Sequence, residues 1–210
     1  GLELTRRVEN GRLLMGIRGQ DVRHQISVLA KDNDSPLLQA DVSILSESVV
    51  SAGASGIARL GASLYNDAYG PGDYNGTHGE VFADLRLTLL DSNDIDANAL
   101  IYRSKDPNWN ESEILFNQDF NADLSLDHAY ELSIRFLEAT RKVVFQLNHA
   151  TLTYIIPDET PMHQPHYPER QLRTRVYLDQ DQTGHMVASY DDVVLSRKST
   201  IVPQMMLLLD

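Results

Sequence analysis

Glu80-Val81-Phe82-Ala83-Asp84-Leu85-Arg86-Leu87-Thr88-Leu89-Leu90 alternates without a break. Val81, Ala83, Leu85, Leu87 and Leu89 point one way, and Glu80, Phe82, Asp84, Arg86 and Thr88 the other. This period of two belongs to a β-strand and not to a helix. Working outward, the same patterning returns upstream at residues 12–17, 22–30, 40–50 and 57–65. Downstream it returns at 95–103, 113–116, 130–137, 142–147, 152–156, 171–178 and 185–195. That makes about twelve strands at the spacing expected of a sandwich or barrel.

The connections at 66–79, 91–94, 105–110 and 157–168 are rich in turn residues. Most are too short and too polar to hold the amphipathic helix that joins parallel strands. The sequence therefore predicts an all-β, two-sheet antiparallel β-sandwich of jelly-roll type. The one helical candidate is a turn near 125–129. No stretch reads as a linker and no internal repeat appears, so residues 1–210 are expected to form a single domain.

Composition narrows the function. A chain of 210 residues buries roughly 70% of its unfolded surface and needs no staples to fold. It has no cysteine, which excludes a disulfide framework, a thiolate zinc site and a cysteine nucleophile. Thirty acidic residues against 18 basic ones give a net charge of −12. Nucleic acid is excluded as a partner because no basic run is present to neutralise phosphates. No membrane span is expected: Met205-Met206-Leu207-Leu208-Leu209 falls far short of the ~20 apolar residues required. Gly1, with no initiating Met, reads as a cloning remnant, so a leader or an upstream domain is expected in the native protein.

The order of the segments resembles a known family. Gly11-Arg12-Leu13-Leu14 opens the pattern, followed by Ala62-Ser63-Leu64-Tyr65-Asn66 and Gly79-Glu80-Val81-Phe82-Ala83-Asp84-Leu85. Ala99-Leu100-Ile101-Tyr102-Arg103, Tyr130-Glu131-Leu132-Ser133-Ile134 and Lys142-Val143-Val144-Phe145-Gln146-Leu147 come next. Ala188-Ser189-Tyr190-Asp191-Asp192-Val193-Val194-Leu195 closes it. Over residues 4–195 the chain resembles bacterial laminin-G-like members of the concanavalin A-like lectin/glucanase superfamily. The resemblance implies a carbohydrate-binding, lectin-like domain of an exported protein, with a poly- or oligosaccharide as partner. A glycoside hydrolase and an adhesion module remain alternatives, because fold alone does not assign activity.

Glu80 and Asp84 are the candidate catalytic pair. Retaining glycosidases hold two carboxyl groups ~5–5.5 Å apart and inverting ones ~6.5–9.5 Å. Family-16-like glucanases of the superfamily carry Glu-x-Asp-x-x-Glu or Glu-x-Asp-x-Glu on one strand. Here Phe82 replaces the central Asp, and the Cα atoms of Glu80 and Asp84 are expected ~13 Å apart at ~3.3 Å per residue. The same two residues also read as solvated charges on a strand face. Phe82 between polar neighbours suits a platform for the C–H face of a sugar.

Other candidates follow from side-chain chemistry. Asn98, Tyr102, Arg173, Arg175 and Tyr177 sit on the polar faces of their strands, and Arg173-x-Arg175-x-Tyr177 forms a stripe able to hold an acidic sugar or a carboxylate. The same stripe also reads as an outer face balancing nearby acids. Trp109, in a turn-rich loop, is either a ligand contact or a plug on the sheet edge. Tyr69 and Tyr74 belong to a long Gly-rich loop of a kind that is often functional. The resemblance also implies a structural Ca2+ with Asp191 or Asp192 as a ligand; the alternative is a capped turn or an Arg pair. His163 and His166 lack the supporting residues of a zinc site.

Overall fold

A computed structural model describes residues 1–30, 35–70, 72–73, 75–90 and 94–196. The Met205–Leu209 run and Tyr74 lie outside these residues. In chain order the strands are β1 (Glu3–Glu9), β2 (Arg12–Gln20), β3 (Arg23–Ala30), β4 (Leu37–Ile44), β5 (Val49–Val50), β6 (Ser55–Asn66) and β7 (Glu80–Leu89). They continue as β8 (Ile95–Ser104), β9 (Ser112–Asp119), β10 (Tyr130–Leu137), β11 (Lys142–Leu147), β12 (Ala150–Ile155), β13 (Arg170–Tyr177) and β14 (Thr183–Ser196).

These fourteen strands form two antiparallel sheets. The first runs β1-β2-β14-β4-β10-β11-β12, with β5 also paired to β14; the second runs β3-β13-β6-β7-β8-β9. The all-β jelly-roll sandwich expected from the sequence is the observed architecture, with two strands more than the twelve anticipated. The additions are β1, which is exposed along its whole length, and the two-residue β5. A fully exposed edge strand has no apolar face, so the alternation that reveals a half-buried strand is missing. Residues 125–129 form a non-helical turn. Among the described residues the helical element is a single 3-10 turn, Glu138–Thr140, and no helix is long and apolar enough to cross a membrane.

One apolar cluster fills the space between the sheets. Val81, Ala83, Leu85, Leu87 and Leu89 contribute the inner face of β7, and Leu132, Ile134, Val143 and Phe145 answer from the first sheet. Phe116 stacks on Phe145 with ring centroids 5.9 Å apart. Tyr190 of β14 ties the layers together: its hydroxyl donates to the Arg173 carbonyl at 2.6 Å and lies 3.1 Å from Thr174 Oγ1. The middle of β13 is thereby anchored from beneath, and its outward side chains stand on a fixed backbone.

Candidate functional site

The outer face of the second sheet carries the candidate site. β7 places Asp84 opposite Gly61 of β6 and Leu100 of β8, and Phe82 opposite Ser63 and Tyr102. β13 places Arg173 opposite Arg59, and Arg59 lies opposite Arg86. Register thus gathers residues from four strands into a groove of about 400 Å³. Arg59, Phe82, Tyr102, Gln171, Arg173 and Arg175 line its floor. Trp109 and Ser112 flank it from the β8–β9 side, and Tyr167 and Glu169 from the segment entering β13.

Three aromatic rings run from the buried Phe82 through Tyr102 to Trp109. Phe82 and Tyr102 have centroids 5.7 Å apart, and Tyr102 meets Trp109 edge-on at 5.6 Å. Trp109 sits at the rim, 37% exposed, with a left-handed φ of 58° that turns its loop back toward the sheet. Phe82 reaches over β6 because residue 61 is glycine. A Cβ there would lie 2.8 Å from Cε1 of Phe82 and 3.2 Å from Oδ1 of Asp84.

Glu80 and Asp84 are not solvated. Their exposures are 3% and 0%, because the outer face of β7 is itself covered. The two carboxylates belong to separate networks. Glu80 Oε1 accepts from the His166 backbone N–H at 2.6 Å and from Asn66 Nδ2 at 3.2 Å. Burial outweighs these bonds and holds the Glu80 carboxyl above its ordinary range. Glu80 lines the groove. Asp84 lies under it, where Oδ2 pairs with Arg59 Nη1 and stands 3.6 Å from Arg86 Nη2.

The groove is rich in guanidinium groups. Burial opposes the charge on Arg59, but Asp84 and Tyr102 together hold it above its ordinary value. Burial, and then the neighbouring Arg59, push Arg173 down to about 10. Burial also lowers Arg175, whose guanidinium lies 4.1 Å from the centre of the Tyr177 ring. Burial, followed by the Asp84 carboxylate, pushes the Tyr102 hydroxyl up. The Nε atoms of Arg59, Arg86, Arg173 and Arg175 are all buried without a hydrogen-bond partner, as is Asp84 Oδ1.

Of the residues singled out from sequence, Glu80, Phe82, Tyr102, Trp109, Arg173 and Arg175 share this groove. Tyr177 touches it through Arg175. Asn98 instead donates to Asn117 Oδ1 at 2.6 Å and Asp119 Oδ1 at 3.1 Å on β9. Tyr69 packs against His78, and its N–H is held by Asn66 Oδ1 at 2.8 Å. Asp191 and Asp192 lie on the other sheet, at a bulge between β14 and β4. There Asp191 pairs with Arg12 at 3.0 Å and accepts the Asp192 N–H. Among the described residues no group of three or more His, Asp or Glu is placed to hold a metal ion. His163 instead forms an isolated backbone bridge to Asn66.

Arg59, Gln171, Glu169 and Tyr167 were not among the sequence candidates. One signal was available: Arg59 is a lone charge inside Gly56-Ile57-Ala58-Arg59-Leu60-Gly61. A charge in so apolar a run requires a buried partner.

Comparison with protein-family models and with curated proteins gives no match. Solved structures do match. Alginate lyase Aly36B, in complex with alginate trisaccharide, has a TM-score of 0.54 at 13% identity, over 91% of this chain and 84% of that one. A Bacteroides ovatus mixed-linkage glucan GH16 protein, in complex with a product, has a TM-score of 0.50 at 8% identity, over 91% and 85%. What this chain shares with these structures is the two-sheet jelly-roll fold. At these identities the likeness concerns the path of the chain, and the groove's chemistry must be read from its own residues.

Proposed function

We propose that the groove on the outer face of the second sheet binds a poly- or oligosaccharide. The observation that carries this reading is the pair Tyr102–Trp109, backed from beneath by Phe82, which is buried and does not itself offer the sugar platform expected from the sequence, along a groove edged by amide, hydroxyl and guanidinium groups. Aromatic faces contact the C–H faces of sugar rings, and the polar groups orient the hydroxyls. Its volume falls within the ~300–1,000 Å³ of small-molecule sites. The two solved neighbours, both complexed with saccharides, support the same reading.

Affinity electrophoresis against a polysaccharide panel, with product analysis of each lane, tests it. Retardation without cleavage supports a binding domain. Absence of retardation on every polymer counts against a sugar ligand. Loss of retardation in EDTA would bring Asp191 and Asp192 in as calcium ligands acting at a distance.

A catalytic reading is favoured by one residue. Glu80 lines the groove, and burial holds its carboxyl above its ordinary range, as suits a general acid. Under this reading cleavage products appear in the lanes, and Glu80→Gln abolishes them while retardation persists.

A further inference from the structure

Resting on the reading of the groove as a saccharide site, we propose that its ligand is an acidic glycan whose sugar carboxylates are held by Arg173 and Arg175. Arg173, Arg59 and Arg86 lie side by side on β13, β6 and β7, and like charges directly opposite one another destabilise a sheet. Asp84 is placed to offset two of the three, since it pairs with Arg59 and lies near Arg86. Nothing comparable serves β13. Among the described residues neither Arg173 nor Arg175 has a carboxylate within 4.0 Å, and the Nε of each is buried without a partner.

The acids that line the groove are engaged elsewhere. Glu80 is bonded to Asn66 and the His166 N–H, and Glu169 Oε2 accepts from Gln171 Nε2. Arg173 and Arg175 are half-buried, and a partly desolvated guanidinium without a counter-ion carries a cost that a ligand's charge would offset. In a chain of net charge −12, a general excess of cations does not explain this row. A carboxylate on a sugar seated against Tyr102 and Trp109 would supply it. The planar guanidinium fork matches a carboxylate bidentately, a geometry a lone hydroxyl does not satisfy.

Carboxyl reduction separates this inference from the reading beneath it. Retardation is compared on polygalacturonate, on the same polymer with its carboxyl groups reduced to alcohols, on a neutral β-glucan and on dextran sulfate. Retardation by polygalacturonate that falls at least tenfold on reduction, and weakens as salt rises, is the expected result. Equal retardation by native and reduced polymer overturns the acidic assignment and leaves the groove reading standing. Equal retardation by dextran sulfate overturns the carboxylate as the recognised group. No retardation on any polymer overturns both.

Arg175→Gln and Arg173→Lys locate the contact, with thermal unfolding recorded alongside to confirm that each folds. Arg175→Gln is expected to lower affinity for polygalacturonate about tenfold. Arg173→Lys keeps the charge, loses the fork, and is also expected to weaken binding. Unchanged affinity in both folded variants overturns the assignment to this pair.

Discussion

Arg59 of β6 and Asp84 of β7 form an ion pair inside the second sheet, reached diagonally across the register that sets Arg59 opposite Arg86 and Asp84 opposite Gly61. Arg59 is 8% exposed and Asp84 is fully buried. The pair therefore sits in a low-dielectric layer between the apolar core and the groove. Removing one partner leaves the other buried and uncompensated.

Asp84→Asn is accordingly expected to cost on the order of 3–5 kcal/mol of stability. Urea unfolding of the variant and the parent chain measures the difference. A cost of only a few tenths would mean that water reaches Arg59 and that the pair is not the keystone of the face. The double variant Asp84→Asn, Arg59→Met should recover part of the loss, since a buried pair is often replaceable by apolar groups.

Gly61 is the second structural demand of the site. Gly61→Ala inserts a methyl group against the Phe82 ring and the Asp84 carboxylate. Overpacking of this kind costs about 1–3 kcal/mol. Thermal unfolding should show the loss, and Phe82→Leu in the same chain should relieve it. If the double variant is no more stable than Gly61→Ala alone, the clash with Phe82 is not the cause.

Glu80 makes stability depend on pH with a defined sign. Its folded carboxyl binds a proton more tightly than the unfolded one, whose ordinary value is 4.5. Between that value and the higher folded one, the native state holds more protons than the unfolded state, so stability falls as pH rises. Glu80→Gln removes this dependence. The stability of the parent chain minus that of the variant, followed by urea unfolding from about pH 4 to about pH 7, should therefore decline. A difference that rises over the same interval would mean that the bonds from Asn66 and His166 outweigh burial.

The strands were legible because most have one apolar face. Residues 130–137 and 142–147 alternate cleanly and match β10 and β11 at both ends. β6 is harder to read, because burial on both faces hides the alternation across nearly all of its twelve residues. That is also why Arg59 escaped notice. The aromatic and cationic candidates on β7, β8 and β13 were visible as side-chain types, but their convergence is a matter of register. Register depends on the β6–β7 bulge between Ser63 and Tyr65 and on loops with no period to read. Asn98 and Tyr69 show the limit: each occupies a polar position, yet β9 claims one and His78 the other.

The chain carries one tryptophan, and it stands at the rim of the proposed site. Intrinsic fluorescence of Trp109 therefore reports on the groove without a label. Titration with galacturonate oligosaccharides should give a saturable change in intensity or wavelength, shifted to higher ligand concentration in Arg175→Gln. A fluorescence signal that stays flat, while the same oligosaccharide binds by calorimetry, would place the sugar elsewhere on the molecule and contradict the account of the groove.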